Sequence, residues 1–220
     1  MNASTAILLF ARTAPAEARA KRWGRGGARI ARALIRRTEA TVAASGLPVY
    51  RSSEHTQRGD TFGQRMAAAV TEVFRRGHDH LIVVGTDCPT LSAATLRRST
   101  TALERGRPVI GADGRGGAYL IGLQREGFDA VTFASLRWQS PCLASQLRDY
   151  LPTALHLASE RDYNCLTDLI RDGRRLRHLL PTLASFLLVL PPRVARRTVL
   201  ASRRARSVRS LRGPPAGRRA

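Results

Sequence analysis

The stretch Leu81-Ile-Val-Val-Gly-Thr-Asp-Cys-Pro-Thr-Leu91 decides the architecture of this chain. Four successive aliphatic residues, Leu81 to Val84, show no polar alternation, the pattern of a short strand covered on both faces in a parallel sheet. Gly85 allows the backbone to leave the strand tightly and Pro89 cannot continue it, so the strand is expected to end at Thr86 and Asp87. Ser92 is placed to N-cap a helix carrying Leu96 and Leu103 on one side. Strand, acidic loop and helix make one unit of an α/β fold. In open α/β sheets ligands bind beyond the carboxyl ends of the strands, which puts Asp87 at a crevice; capping a turn is the other common use of Asp there.

Working outward, Ala6 to Ala11 is another uninterrupted apolar run and reads as a central first strand. Arg12, Glu17, Arg19, Lys21 and Arg22 follow it as a basic loop, where a nucleotide-binding α/β fold meets a phosphate. A loop of solvated arginines fits the same residues. After the glycines at 24 to 27, Ile30, Leu34, Thr38 and Val42 recur every four residues and predict a helix that Gly46 ends. Leu47 to Arg51 reads as a short strand and Ser52 to Gly59 as a polar loop. Phe62, Met66, Val70 and Phe74 form the stripe of the next helix. Gly63 and Arg65 lie off that stripe, and since glycine weakens a helix, Gly63 points to close approach of a ligand or of another backbone. His78 and His80, flanking Asp79, read as a loop entering the strand, because nothing near them completes a metal set.

Beyond the second unit, Pro108 to Ile110 and Tyr119 to Leu123 read as strands joined through Gly111-Ala-Asp-Gly-Arg-Gly-Gly117. Such a turn serves equally as a hairpin corner or as a place where backbone amides approach an anion. Phe128 to Trp138 shows no regular pattern, Gln139 to Leu151 reads as a helix, Leu155 to Leu157 as a last short strand, and Arg161 to Leu169 as the start of a last helix. The alternation predicts one α/β domain over residues 1–178, a mostly parallel sheet with helices on both faces. Residues 179–192 read as a terminal apolar helix, shorter than the roughly 20 residues of a membrane span. Residues 193–220 carry ten arginines and no acid, and are expected to be a disordered basic tail.

At 220 residues and 43% hydrophobic content the chain can bury one core, and with 5% aromatic residues that core must be aliphatic. A net charge of +21 would ordinarily suggest nucleic acid as partner, but much of it lies in the tail, and Lys21 is the only lysine, so compositional bias explains part of the excess. Cys88, Cys142 and Cys165 have no Cys-x-x-Cys spacing, which argues against a disulfide framework or zinc site and fits a reducing cytoplasm. The apolar run at the N-terminus lacks the preceding positive charge of a signal peptide.

Four segments together resemble a known family: Ile7-Leu-Leu-Phe-Ala-Arg12 with Glu17-Ala-Arg-Ala-Lys21, then Gly59-Asp-Thr-Phe-Gly-Gln-Arg65, then Gly85-Thr-Asp-Cys-Pro89, then Gly116-Gly-Ala-Tyr-Leu-Ile-Gly-Leu123. They occur in the order seen in the glycosyltransferase-like family of domain of unknown function 2064, also called radical-SAM/selenodomain-associated transferases. The resemblance covers roughly residues 6 to 170. It implies the nucleotide-diphospho-sugar transferase fold, the A-type glycosyltransferase architecture, and transfer of a glycosyl or nucleotidyl group from an activated nucleotide to a small acceptor. By the same resemblance Ala11, Arg12 and Lys21 hold the nucleotide, Gly63 and Arg65 border the pocket with Gly85 and Thr86, and Asp87 holds Mg²⁺ or Mn²⁺ on the diphosphate. Gly116, Gly117 and Tyr119 form the opposite wall; Trp138 is a candidate to stack on acceptor or sugar, though a lone Trp more often serves packing. Two departures stand out. Arg115 occupies the place of the family's Asp before Gly-Gly, leaving Asp113 two residues earlier as its substitute in catalysis, and the family's later Asp-x-Asp reads Asp162-Tyr-Asn164. An arginine beside a metal site opposes the cation yet can pair with phosphate. The rival expectation is a degenerate nucleotide-binding module whose basic tail engages nucleic acid or an acidic partner.

Overall fold

The computed structural model describes residues 4–176 and 178. Its strands are β1 (Thr5–Phe10), β2 (Val49–Ser52), β3 (His80–Val84), β4 (Val109–Ala112), β5 (Ala118–Gln124) and β6 (Leu155–His156), in one sheet of order β2-β1-β3-β5-β4-β6. β1 pairs in parallel with β2 and β3, and β4 with β6; β5 runs antiparallel to both β3 and β4. The sheet is thus mostly parallel with one reversed strand. Every residue of β1 and β3 is buried, as uninterrupted apolar runs require of strands covered on both faces.

The helices are α1 (Ala14–Ala20), α2 (Gly27–Ala43), α3 (Phe62–Arg75), α4 (Ala93–Glu104), α5 (Ala130–Ser135), α6 (Leu143–Tyr150), α7 (Leu166–Arg171) and α8 (Gly173–Leu176). Side-chain caps fix where two of them begin. Thr61 Oγ accepts from Gln64 N at 3.1 Å while Gln64 Oε1 accepts from Thr61 N at 3.0 Å, a reciprocal cap on α3. Ser92 Oγ accepts from Thr95 N at 3.1 Å and caps α4, as the sequence predicts.

Three readings of the sequence need correction. The basic segment after β1 contains α1 where a loop is expected: Pro15 stands in its first turn, where a missing N–H leaves nothing unpaired, and Glu17 favours the helix N-terminus. The stretch expected to be irregular contains α5, capped by Asp129, whose Oδ1 accepts from Thr132 N at 2.7 Å. α6 begins at Leu143 and not at Gln139, which takes a φ of 58° incompatible with a helix. Gly85, for its part, has open space where a Cβ would stand and no positive φ, so neither crowding nor backbone strain requires glycine there.

Helices cover both sheet faces. On one, Ala6, Leu8, Phe10 and Val83 pack with residues of α3, α5 and α6; on the other, Ile7, Leu9, Ile82 and Val84 pack with Val42 of α2 and Leu96 and Leu103 of α4. A third cluster, built on Trp23, Ile30, Leu34, Tyr163 and Leu169, ties α7 to α1 and α2. It thereby brings residues 162–164 to the carboxyl end of β3, where Tyr163 N donates to Asp87 O at 2.9 Å. The reversal of β5 matters in the same way: Leu120 pairs with Val84, so the 113–117 turn reaches the same rim. Among the described residues no helix is long and apolar enough to cross a membrane. The terminal apolar helix and the basic tail expected over 179–192 and 193–220 lie outside the described residues.

Candidate functional site

A cavity of about 820 Å³ opens at the carboxyl ends of β1 and β3, within the size range of small-molecule sites. Ala11, Arg12, Lys21, Arg65, Gly85, Thr86, Asp87, Asp113, Arg115, Gly117 and Tyr119 all line it. Gly63 and Gly116 do not. A Cβ on Gly63 would stand 2.0 Å from Ala134 O, and one on Gly116, whose φ is +89°, 2.0 Å from Pro141 O. Both are packing glycines that let α3 and the hairpin turn approach the 134–141 backbone, the second of the two readings left open for Gly63.

Tyr119 is in the wall, as expected, through a side chain that also serves the fold. Its hydroxyl donates to Ala158 O at 3.0 Å and its ring packs where a Cβ on Gly111 would be, so the phenol is committed to the fold. Burial, with the nearby acids, pushes its pKa up.

Charge at the rim is organised by Lys21. Its buried ammonium pairs with Asp87 Oδ1, with Glu17 Oε1 at 3.1 Å and with Tyr163 O at 2.9 Å, and lies 4.9 Å from the Trp23 ring centroid. Arg12 Nη1 shares Glu17 through Oε2 at 3.5 Å. Glu54 faces the same cavity and accepts from Thr13 N at 2.7 Å and from Thr13 Oγ1.

Asp87 stands beside two more acids. Asp113 Oδ1 accepts from Arg115 N at 2.6 Å and Gly117 N at 2.8 Å, and a Cβ on Gly117 would come 2.5 Å from Asp113 Oδ2. Glycine at 117 is therefore what lets the turn fold back over this carboxylate. Asp162 lines the cavity with Oδ1 buried and without a hydrogen-bond partner among the described residues. Burial, the charges of Asp87 and Asp113 and a hydrogen bond with Asp113 push its pKa up to about 7, against the lowering effect of Lys21. Among the described residues, no three acids, thiols or imidazoles already form a metal cage.

Arg115 lines the cavity, half-exposed, with its guanidinium paired to Asp168. Nη2 and Nη1 reach Asp168 Oδ2 and Oδ1 at 3.0 and 3.4 Å, and Nη2 also donates to Asp162 O. Asp168 Oδ2 accepts further from Asn164 N and Cys165 N, each at 3.1 Å. Burial raises the pKa of Asp168, but the hydrogen bond from Cys165 and the charge of Arg115 outweigh it and hold it below the usual carboxylate range. The cation at 115 is thus matched by an anion at 168, a pairing the sequence reading missed. Asp162, Glu17 and Glu54 were also left out of the expected site. Asp162 carried a signal as the retained first acid of its Asp-x-Asp, and Glu17 as part of the Glu17-Ala-Arg-Ala-Lys21 segment.

Residues 15–140 match the family described as "Uncharacterized protein conserved in bacteria (DUF2064)". The chain belongs to this family. A search of curated proteins gives no match. Among solved structures, this DUF2064 chain resembles a provisionally assigned nucleotide-diphospho-sugar transferase from Desulfovibrio desulfuricans G20, with a TM-score of 0.69 and 19% identity over 84% of this chain and 96% of that one. Rv0371c from Mycobacterium tuberculosis H37Rv follows at a TM-score of 0.42 and 16% identity, covering 82% of this chain and 100% of that one. CMP:2-keto-3-deoxy-manno-octonic acid synthetase, solved with CTP, gives 0.41 and 11%, covering 81% and 100%. The DUF2064 chain has the nucleotide-diphospho-sugar transferase fold expected of it, and the first likeness carries that statement.

Proposed function

We propose that the protein is a metal-dependent transferase that moves a glycosyl or nucleotidyl group from an activated nucleotide to a small acceptor. The observation that carries this reading is the meeting of Asp87, Asp113 and Asp162 on one cavity wall beside Arg12 and Lys21. Carboxylates crowded to the point of raising the pKa of Asp162, one oxygen being buried without a partner among the described residues, are the environment a hard cation relieves. Mg²⁺ and Mn²⁺ suit such donors, and Mg²⁺ needs only one or two protein carboxylates when substrate phosphates and waters complete its shell, so the lack of a ready-made cage is no obstacle.

Asp87 and Asp162 would hold the ion, with Asp113 beside them, and its chemistry there is charge neutralisation on the leaving phosphate. The chain's own groups do the rest. Arg12 and Lys21 would meet the phosphates, Lys21 exchanging its contact with Asp87 for one to the nucleotide. The turn amides at Arg115 and Gly117 fix the Asp113 carboxylate, so its position is set before substrate arrives. Arg115, held on Asp168, would anchor residues 162–168 against that turn. An acceptor positioned opposite the leaving group needs little further help.

Differential scanning of the full chain with a panel of nucleoside triphosphates and nucleotide sugars, with and without Mg²⁺ or Mn²⁺, tests the reading. The expected result is a metal-dependent rise in Tm with one nucleotide class, lost in Asp87→Asn. No metal-dependent shift, together with strongly salt-sensitive binding of DNA or RNA, would overturn it in favour of a non-catalytic nucleotide-binding module with a nucleic-acid-binding tail.

A further inference from the structure

Opposite the acids, the cavity wall changes character. Phe10, Phe62, Met66, Ile121, Trp138 and Leu143 all belong to the core layer between the sheet and α3, and all six line the cavity. The core is open at this end, leaving Phe62 and Trp138 half-buried. Their ring centroids lie 5.5 Å apart, and Phe10 meets Phe62 edge-on at the same separation, so the three rings brace one another.

Several of the polar atoms near this wall are already engaged. Trp138 Nε1 donates to Phe133 O at 2.9 Å. Ser140 Oγ donates to Arg137 O at 2.6 Å and accepts from Cys142 N at 3.2 Å. Arg65 Nη1 is held over Gly59 O and Asp60 O at 3.2 and 2.9 Å. Gln139 lines the cavity too but is exposed, so its amide keeps its water. A polyol pressed here would lose water from its hydroxyls and find few partners among these groups in exchange, whereas an apolar body would gain by burial.

From this division we infer that the acceptor is a small alcohol whose hydroxyl sits on an apolar, ring-sized body. The body lies on Phe62 and Trp138 and the hydroxyl faces the acids. The role given to the hydroxyl rests on the transferase reading; the affinity for the apolar body does not. An unsubstituted sugar is disfavoured as acceptor, because stacking on Trp138 would satisfy only one face and leave its hydroxyls against Met66, Ile121 and Leu143.

Saturation-transfer NMR on the full chain, with 2-phenylethanol and with glucose as probes, decides the matter. The expected result is binding of 2-phenylethanol at least about tenfold tighter than glucose, with phenyl-to-indole contacts at Trp138. Phe62→Gln, checked for folding by circular dichroism, is expected to weaken 2-phenylethanol by about tenfold. Glucose binding as well as the aryl alcohol, or a phenyl ring that makes no contact with Trp138, overturns the inference. If nucleotides shift Tm while glucose wins, the apolar subsite falls and the transferase reading stands; if the aryl alcohol binds at Trp138 and no nucleotide does, the reverse holds.

Discussion

The two halves of the cavity are built from different parts of the chain and are held by different means. The charged half comes from segments after strands, and its ions are paired across long sequence distances: Lys21 with Asp87, and Arg115 with Asp168. The apolar half is an unfinished edge of the core, held by ring packing and by glycine contacts too tight for any side chain. The difference teaches that geometry in the apolar half is enforced by excluded volume, while geometry in the charged half is a balance of charges that a substrate or a cation can redistribute.

Breaking the apolar half should therefore have the largest effect. Gly116→Ala puts a Cβ against Pro141 O at a left-handed φ, and is expected to lower stability in urea titrations by about 3 kcal/mol. Gly63→Ala, driven against Ala134 O, should behave similarly. A side effect no larger than that of Gly46→Ala would show that the backbone there is free to yield; Gly46 also has a positive φ but nothing within 4 Å.

The charged half should respond to pH before it responds to substitution. Burial and its neighbouring carboxylates push Asp162 up to about 7 in the folded protein from an ordinary 3.8, so the native state keeps a proton that the unfolded chain releases. The stability this lends is complete below the unfolded value and is lost as pH rises through about 7. Denaturation midpoints of the wild type, without metal, should thus fall between pH 4 and pH 8 relative to those of Asp162→Asn, which lacks this titration. Parallel profiles for the two proteins would remove Asp162 from the crowded set.

Arg115→Asp places a third charge of like sign beside Asp113 and faces Asp168, removing the cation that balances it. With the guanidinium half-exposed and screened, the expected loss is about 1–2 kcal/mol in thermal or urea melts. The smallest and most pointed test is Lys21→Met. Because the ammonium and a divalent ion compete for Asp87, this change should tighten Mn²⁺ binding without nucleotide by about threefold to tenfold, read by electron paramagnetic resonance. With nucleotide present it should weaken binding, since the same lysine is then missing from the phosphates. Equal Mn²⁺ affinity in the two proteins would deny that Lys21 stands in the cation's place.

The strands were legible because β1 and β3 are continuous apolar runs, and burial on both faces leaves no alternative use for them. The start of α4 was legible because Ser92 acts through a neighbour three residues away, and α3 was legible from the stripe of Phe62, Met66, Val70 and Phe74. α1 was missed because its residues are mostly alanine and charge, and what holds it is tertiary: Ala14 packs in a cluster with Trp23, Tyr163 and Leu169. Along the cavity, Asp87 was readable from its position after an apolar run. The partnership of Arg115 with Asp168 was not, because 53 residues separate them and only α7 brings them together. Gly116 and Gly63 carried a signal of close approach without saying to what, and the answer, the 134–141 backbone, depends on how α5 lies on α3.

Among the described residues, β4 and β6 join the rest of the sheet solely by way of β5, the one strand that runs against its neighbours. The molecule accordingly has a seam. Loosening β5 would detach a two-stranded flap, and with it the platform from which Asp113 faces Asp87, while the β2-β1-β3 block kept its own amide bonds. In hydrogen exchange the amides of β4 and β6 should open as a unit at lower protection than those of β1 and β3. A ligand spanning the cavity would act as a stitch across that seam, and its tightest signature would be protection gained far from any atom it touches.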